Sequence, residues 1–175
     1  MKKIILFFGF LATITVASAQ GTLEKGATQL NAGFGFSSWG IPVYVGLDYG
    51  IADDITIGGE ISFRTDSKRY HETKVTYNGL GIGANGNYHF NRLLNLPNEF
   101  DFYAGVNLTY YNWTSNVSGG SYSGSWAYDS GLGWGLQTGG RYFFSNTFGV
   151  NLEFGLAGAS GATGSGGKIG ITYKF

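Results

Sequence analysis

Gly167-Lys168-Ile169-Gly170-Ile171-Thr172-Tyr173-Lys174-Phe175 decides the reading of this chain. Ile169, Ile171, Tyr173 and Phe175 share one parity; Lys168, Gly170, Thr172 and Lys174 share the other. A period of two is that of a strand with one apolar and one polar face. An apolar strand at the end of a chain is a sticky edge in water. Closed into a ring inside lipid, it has no edge left.

The same alternation recurs upstream, and eight segments are predicted. Leu30, Ala32, Phe34 and Phe36 share a face in the first, and Ile41, Val43, Val45, Leu47 and Tyr49 in the second. In the third, Ile55, Ile57, Ile61 and Phe63 oppose Thr56, Gly58, Glu60, Ser62 and Arg64. Leu80, Ile82, Ala84, Tyr88 and Phe90 mark the fourth; Phe100, Phe102, Ala104, Val106, Leu108 and Tyr110 mark the fifth. Leu132, Trp134, Leu136, Tyr142 and Phe144 mark the sixth, and Phe148, Val150, Leu152, Phe154 and Leu156 the seventh. Residues Gln20–Ala27 read as a polar lead-in. Ala52–Asp54, Asn91–Asn98 and Ser145–Thr147 read as turns, and Thr65–Val75, Asn112–Ser125 and Ser160–Gly166 as longer polar loops. Long and short connections then fall at opposite ends, with the link near Trp39 and Gly40 as the exception. The fold expected is all-β: an eight-stranded antiparallel up-and-down transmembrane barrel with both ends of the mature chain on the periplasmic side.

Composition agrees. The 175 residues contain 31 Gly and 17% aromatics but only 13% charged residues, against averages of about 7% Gly and about 25% charged. Gly-rich disordered chains lack aromatic and β-branched residues, and this one does not. With no Cys there is neither a disulfide framework nor thiolate chemistry. Lys2 and Lys3, the apolar run Ile4–Val16 and Ala17-Ser18-Ala19 have the layout of an export leader, expected over residues 1–19, with a barrel domain over 20–175. The run is shorter than the roughly 20 residues of a spanning helix. Without Lys2 and Lys3 the chain carries nine basic and eleven acidic residues. No basic patch points to nucleic acid.

An eight-stranded ring cannot hold all the Phe, Ile and Leu side chains inside, so the bulky face is expected to meet lipid. Tyr49, Phe90, Phe100, Tyr142, Phe148 and Phe175 are expected to form a lower aromatic girdle, and Phe36, Trp39, Phe63, Tyr110 and Trp113 an upper one. The lumen then receives a polar network: Tyr44, Glu60, Arg64, Tyr103, Gln137, Arg141, Glu153, Lys168 and Lys174. Glu153 and Arg141 are expected as diagonal neighbours across the Ser145–Thr147 hairpin, and Glu60 near Tyr44. Unpaired charges there are costly, so a hydrogen-bonded plug is expected rather than an ion path. His89 is placed in the lumen near Asp101, in a structural hydrogen bond.

Several segments resemble a known family. Tyr88-His89-Phe90-Asn91, Leu93-Leu94-Asn95-Leu96-Pro97 and Phe102-Tyr103-Ala104-Gly105 resemble the central hairpin of small porin-family outer-membrane β-barrel proteins of Gram-negative bacteria. Gly140-Arg141-Tyr142-Phe143-Phe144, Glu153-Phe154-Gly155, Lys168-Ile169-Gly170 and Phe175 resemble its closing strands. The resemblance runs from about Lys25 to Phe175. It implies the eight-stranded barrel, an outer-membrane location, and a terminal signal, Tyr173 and Phe175, read by the barrel-assembly machinery. It says little about activity.

Candidate chemistry is sparse. His71 lies near Asp66, Ser67 and Glu72, the residue types of a rim acyltransferase or protease; a solvated loop is the expectation. Asn107-Leu108-Thr109, Asn112-Trp113-Thr114 and Asn116-Val117-Ser118 match the glycosylation pattern by chance. Gly79, Gly81 and Gly83 precede no helix and make no phosphate loop. Two His and no Cys give no metal cluster, and no cofactor is expected. The expected function is a non-enzymatic barrel that supports the envelope or presents its loops to lipopolysaccharide, a partner protein or a host surface, as a monomer. Tyr70, His71, Tyr122 and Trp126 are the candidate loop contacts. The alternatives are a rim enzyme, a narrow solute pore, or a secreted soluble barrel with an internal ligand.

Overall fold

The computed structural model describes residues 21–70, 72–119, 128–159 and 162–175, with Tyr70 as backbone only. The expected leader therefore lies outside the described residues. Among the described residues, eight strands close in chain order into one barrel: β1 (Thr28–Ser37), β2 (Ile41–Ala52), β3 (Ile55–Tyr70), β4 (Thr73–His89), β5 (Phe100–Ser118), β6 (Gly131–Phe143), β7 (Phe148–Ala159) and β8 (Ala162–Lys174). Every neighbouring pair is antiparallel. The stretch quoted first forms the seam, with Gln29 opposite Lys174 and Gly33 opposite Gly170.

Faces follow parity. Phe34, Val45, Ile61, Ile82, Val106, Trp134, Leu152 and Ile171 all stand outward and exposed. Such a continuous apolar belt on an isolated molecule has to be covered, and closure leaves no unpaired strand edge to satisfy in hydrocarbon. At the lower end, defined by the β2–β3, β4–β5 and β6–β7 connections, aromatic rings touch in series. Phe90 meets Phe102 at 5.7 Å, Phe100 meets Tyr142 at 5.0 Å, and Tyr173 meets Phe175 at 5.2 Å.

The inward glycines admit large side chains. A Cβ on Gly170 would stand 2.6 Å from the Tyr44 hydroxyl, and one on Gly139 would stand 2.5 Å from the Tyr103 hydroxyl. Tyr103 lies over its cross-strand partner Gly139, and Tyr44 over Gly170 two strands away, because neither glycine has a side chain there.

Five sequence expectations change. Thr65–Val75 is not a loop: β3 and β4 continue as a paired ribbon, Asp66 opposite Tyr77 and Tyr70 opposite Thr73. The outer face of the ribbon has no apolar stripe because it rises past the belt, while Val75 and Tyr77 of β4 are buried on its inner face. Cross-strand polar pairs hold the outer face, with Ser67 Oγ 3.1 Å from Thr76 Oγ1 and Thr65 Oγ1 donating to Asn78 Oδ1 at 3.0 Å. Residues Asn112–Ser118, read as loop, belong to β5, and β8 already begins at Ala162 rather than after Gly166. The two ends therefore differ in strand height more than in loop length: β3, β4 and β5 have 16, 17 and 19 residues, and β1 has 10.

The Asn91–Asn98 turn contains a one-turn helix, α1 (Asn91–Leu94), closed by Asn95 at φ 49°. Arg92 clips it to Asp54 of the neighbouring turn. Nor is the 21–27 lead-in a free arm. Leu23 is fully buried, and Gly21 and Thr22 carbonyls accept Lys174 Nζ at 2.8 and 3.4 Å. This segment closes the lower mouth.

Candidate functional site

Buried charged side chains converge in the lumen. Its lower part is built around Arg141 on β6. Nη1 donates to Asp101 Oδ2 at 2.7 Å and Nη2 to Asp48 Oδ2 at 2.9 Å, with the guanidinium 4.2 Å above the Tyr103 ring. Asp101 also takes His89 Nδ1 at 2.7 Å, and His89 Nε2 lies 3.0 Å from Thr56 Oγ1. Asp48 further accepts Asn31 Nδ2 at 2.9 Å. Asn31 Oδ1 takes the Thr172 hydroxyl at 2.8 Å, and Thr172 Oγ1 accepts Asn151 Nδ2 at 3.0 Å. The Arg141 and Asp101 side chains are only 4% and 0% exposed. Pairing with two carboxylates is what makes the buried guanidinium tolerable.

Above this lies Lys168 on β8, donating to Glu60 Oε2 at 2.7 Å and meeting Glu153 Oε1 at 3.0 Å. Tyr103 donates to Glu153 Oε2 at 2.9 Å, and Tyr44 donates to Asn151 Oδ1 at 2.7 Å beneath the Lys168 ammonium. Gln137 bridges Asn107 and Asn87, each at 2.7 Å. The Lys168, Glu60 and Glu153 side chains remain 25%, 26% and 15% exposed. An open cavity of about 110 Å³ lies above them, lined also by Arg64, Tyr111 and Trp39. Below them the space shrinks to about 20 Å³.

The sequence-derived lumen residues thus divide. Tyr44, Glu60, Glu153, Tyr103 and Lys168 form one cluster. Arg141 joins a different one, Gln137 sits between Asn87 and Asn107, Lys174 holds the lower mouth, and Arg64 stands at the cavity wall. Glu153 and Arg141 are diagonal, since Arg141 faces Asn151, yet they do not pair. Arg141 is taken by Asp48 and Asp101, and Glu153 by Lys168. Asp48 was not singled out from sequence; its partner is 93 residues away across the barrel, beyond any hairpin register.

Trp39 and Trp113 correct the expected upper girdle. Trp39 lines the cavity and meets Tyr111 edge-on at 5.9 Å. Trp113 stacks on Tyr128 at 4.4 Å, and Tyr128 donates to Asp66 Oδ2 at 2.7 Å. Both serve the rim from inside. Of the candidate loop contacts, His71, Tyr122 and Trp126 lie outside the described residues, and Tyr70 is the last residue of β3. Among the described residues, no group of three His, Cys, Asp or Glu is placed to hold a metal ion.

Comparison with solved structures supplies what the geometry alone does not name. The outer membrane protein OprG from Pseudomonas aeruginosa superposes with a TM-score of 0.64 at 14% identity, covering 90% of this chain and 99% of that one. Neisserial surface protein A, NspA, gives 0.61 at 18%, covering 85% and 96%. The fold is that of the small outer-membrane β-barrels. A barrel from de novo design of transmembrane β-barrels also matches, with a TM-score of 0.55 at 14% identity, covering 87% and 98%. A shared architecture of this kind names no activity. No protein-family model and no curated protein matches the sequence.

Proposed function

We propose that this chain is an exported, non-enzymatic integral protein of the bacterial outer membrane, which supports the envelope and binds at the cell surface through its upper rim. The leader at residues 1–19 directs export, and the barrel-assembly machinery reads the terminal Tyr173 and Phe175. The single observation that carries this reading is the pairing of an unbroken apolar belt with a lumen closed by Arg141, Asp48 and Asp101. A belt of this kind is solvated by acyl chains, and a lumen of this kind passes no hydrated ion. The lower end, with the 21–27 segment, faces the periplasm. The tall β3–β5 wall faces outward and is the surface offered to lipopolysaccharide, a partner protein or a host ligand. The protein acts as a monomer, since closure leaves no strand edge to share.

The full chain reconstituted in planar bilayers tests this. No resolved conductance steps are expected. A defined single-channel conductance would replace the closed-lumen reading with that of a solute pore. Recovery of the protein in the outer-membrane fraction, with its N-terminus at Gln20, is expected alongside.

A further inference from the structure

The upper cavity is not saturated as the lower lumen is. Among the described residues, Arg64 is a buried charge that no carboxylate meets. It is 8% exposed and sits within no salt bridge. Its side-chain contacts are a 3.5 Å approach of Nη2 to Ser62 Oγ and a position 5.1 Å from the Tyr111 ring centroid. Its Nε has no acceptor. Arg141 also leaves Nε unpaired, but its terminal nitrogens each hold a carboxylate. The nearby carboxylates do not serve Arg64, because Lys168 engages both Glu60 and Glu153.

A guanidinium offers five donors in a planar fork that matches a carboxylate. Desolvating it without a partner is costly unless something arrives to take those donors. The cavity beside it has the other half of a binding site. Tyr111 and Trp39 give it aromatic walls, and the glycines Gly83, Gly155 and Gly166 keep its floor and side clear. Its volume, about 110 Å³, is somewhat below the roughly 150 Å³ of a cavity known to take benzene. Because it opens at the upper end, it also has room for a group projecting outward.

We infer that this vestibule binds a small organic monoanion, a carboxylate on one aromatic ring or on a short apolar chain. The carboxylate is held by the Arg64 fork and the apolar body lies against the wall formed by the touching Tyr111 and Trp39 rings. Lys168 does not compete, since its ammonium already faces two carboxylates. The site is independent of what the rim binds and of any role in the envelope. It needs only the folded barrel, so detergent-solubilised protein suffices.

The test is fluorine NMR of 4-fluorobenzoate titrated with the full-length protein in micelles, beside empty micelles. The neutral 4-fluorobenzamide and the cationic 4-fluorobenzylamine are run in parallel. Saturable binding of the benzoate is expected, at least tenfold tighter than either analogue. Arg64→Gln is expected to weaken it at least tenfold and Arg64→Lys less. Ala157→Phe, which fills the cavity while keeping Arg64, is expected to abolish it. Folding of each variant is read from its β-sheet circular dichroism, so either of Arg64→Gln and Ala157→Phe decides the matter if the other fails to fold. Absence of saturable binding by the wild-type protein would overturn the inference. So would equal binding of the three probes, preference for the amine, or binding unchanged in a folded variant.

Discussion

The lower and upper halves of the lumen use the same residue types to opposite ends. Below, Arg141 stands between Asp48 and Asp101, and each carboxylate has further partners in His89 and Asn31. Above, Lys168 stands between Glu60 and Glu153 in much the same way, but the trio borders open space, and Arg64 beside it has no carboxylate. A charge can be tolerated inside a barrel either by saturating it or by leaving it access to water and solutes. The first choice makes a seal, and the second leaves a receptive mouth.

The contrast predicts a graded response to substitution. Arg141→Ala should be the most damaging, because it strands two carboxylates out of water. A loss of about 3–5 kcal/mol is expected, the range for breaking a buried ion pair. Urea unfolding of the protein in phospholipid vesicles measures it. Lys168→Met should cost less, about 1–3 kcal/mol, since water in the cavity relieves Glu60 and Glu153. Equal losses for the two variants would erase the distinction between the halves. Arg64→Gln should be mildest. It gives up only the contact with Tyr111 and the long approach to Ser62, so a change no larger than about 1 kcal/mol is expected in the same assay. A loss approaching that of Arg141→Ala would mean that Arg64 has a structural partner.

The two halves were also unequally legible in the sequence. The belt strands were readable throughout, because lipid on one side and a polar lumen on the other impose strict alternation from Leu30 to Phe36 and from Ile169 to Phe175. The β3–β4 ribbon above the belt was not. With water rather than lipid on its outer face nothing selects apolar residues there, and Thr65 to Val75 reads as loop although its β-formers Thr65, Thr73 and Val75 are paired. Inward position was likewise readable for Tyr44, Glu60, Arg141 and Lys168 from parity alone. Partner choice was not. A hairpin fixes which residues sit diagonally, as it did for Arg141 and Glu153, but Asp48 reaches Arg141 only because the ring closes. The inward turn of Trp39 and Trp113 had no signal in composition, since aromatic residues serve equally as girdle and as rim lining.

All of this depends on which face meets acyl chains, and the tryptophans report it directly. Trp134 stands on the outer face of β6, 51% exposed, whereas Trp39 lines the upper cavity. Single-tryptophan variants retaining one or the other, reconstituted in vesicles with brominated acyl chains, separate the two environments. Strong quenching of Trp134 with little quenching of Trp39 is the predicted result. An unquenched Trp134 beside a quenched Trp39 would contradict the orientation of the whole barrel.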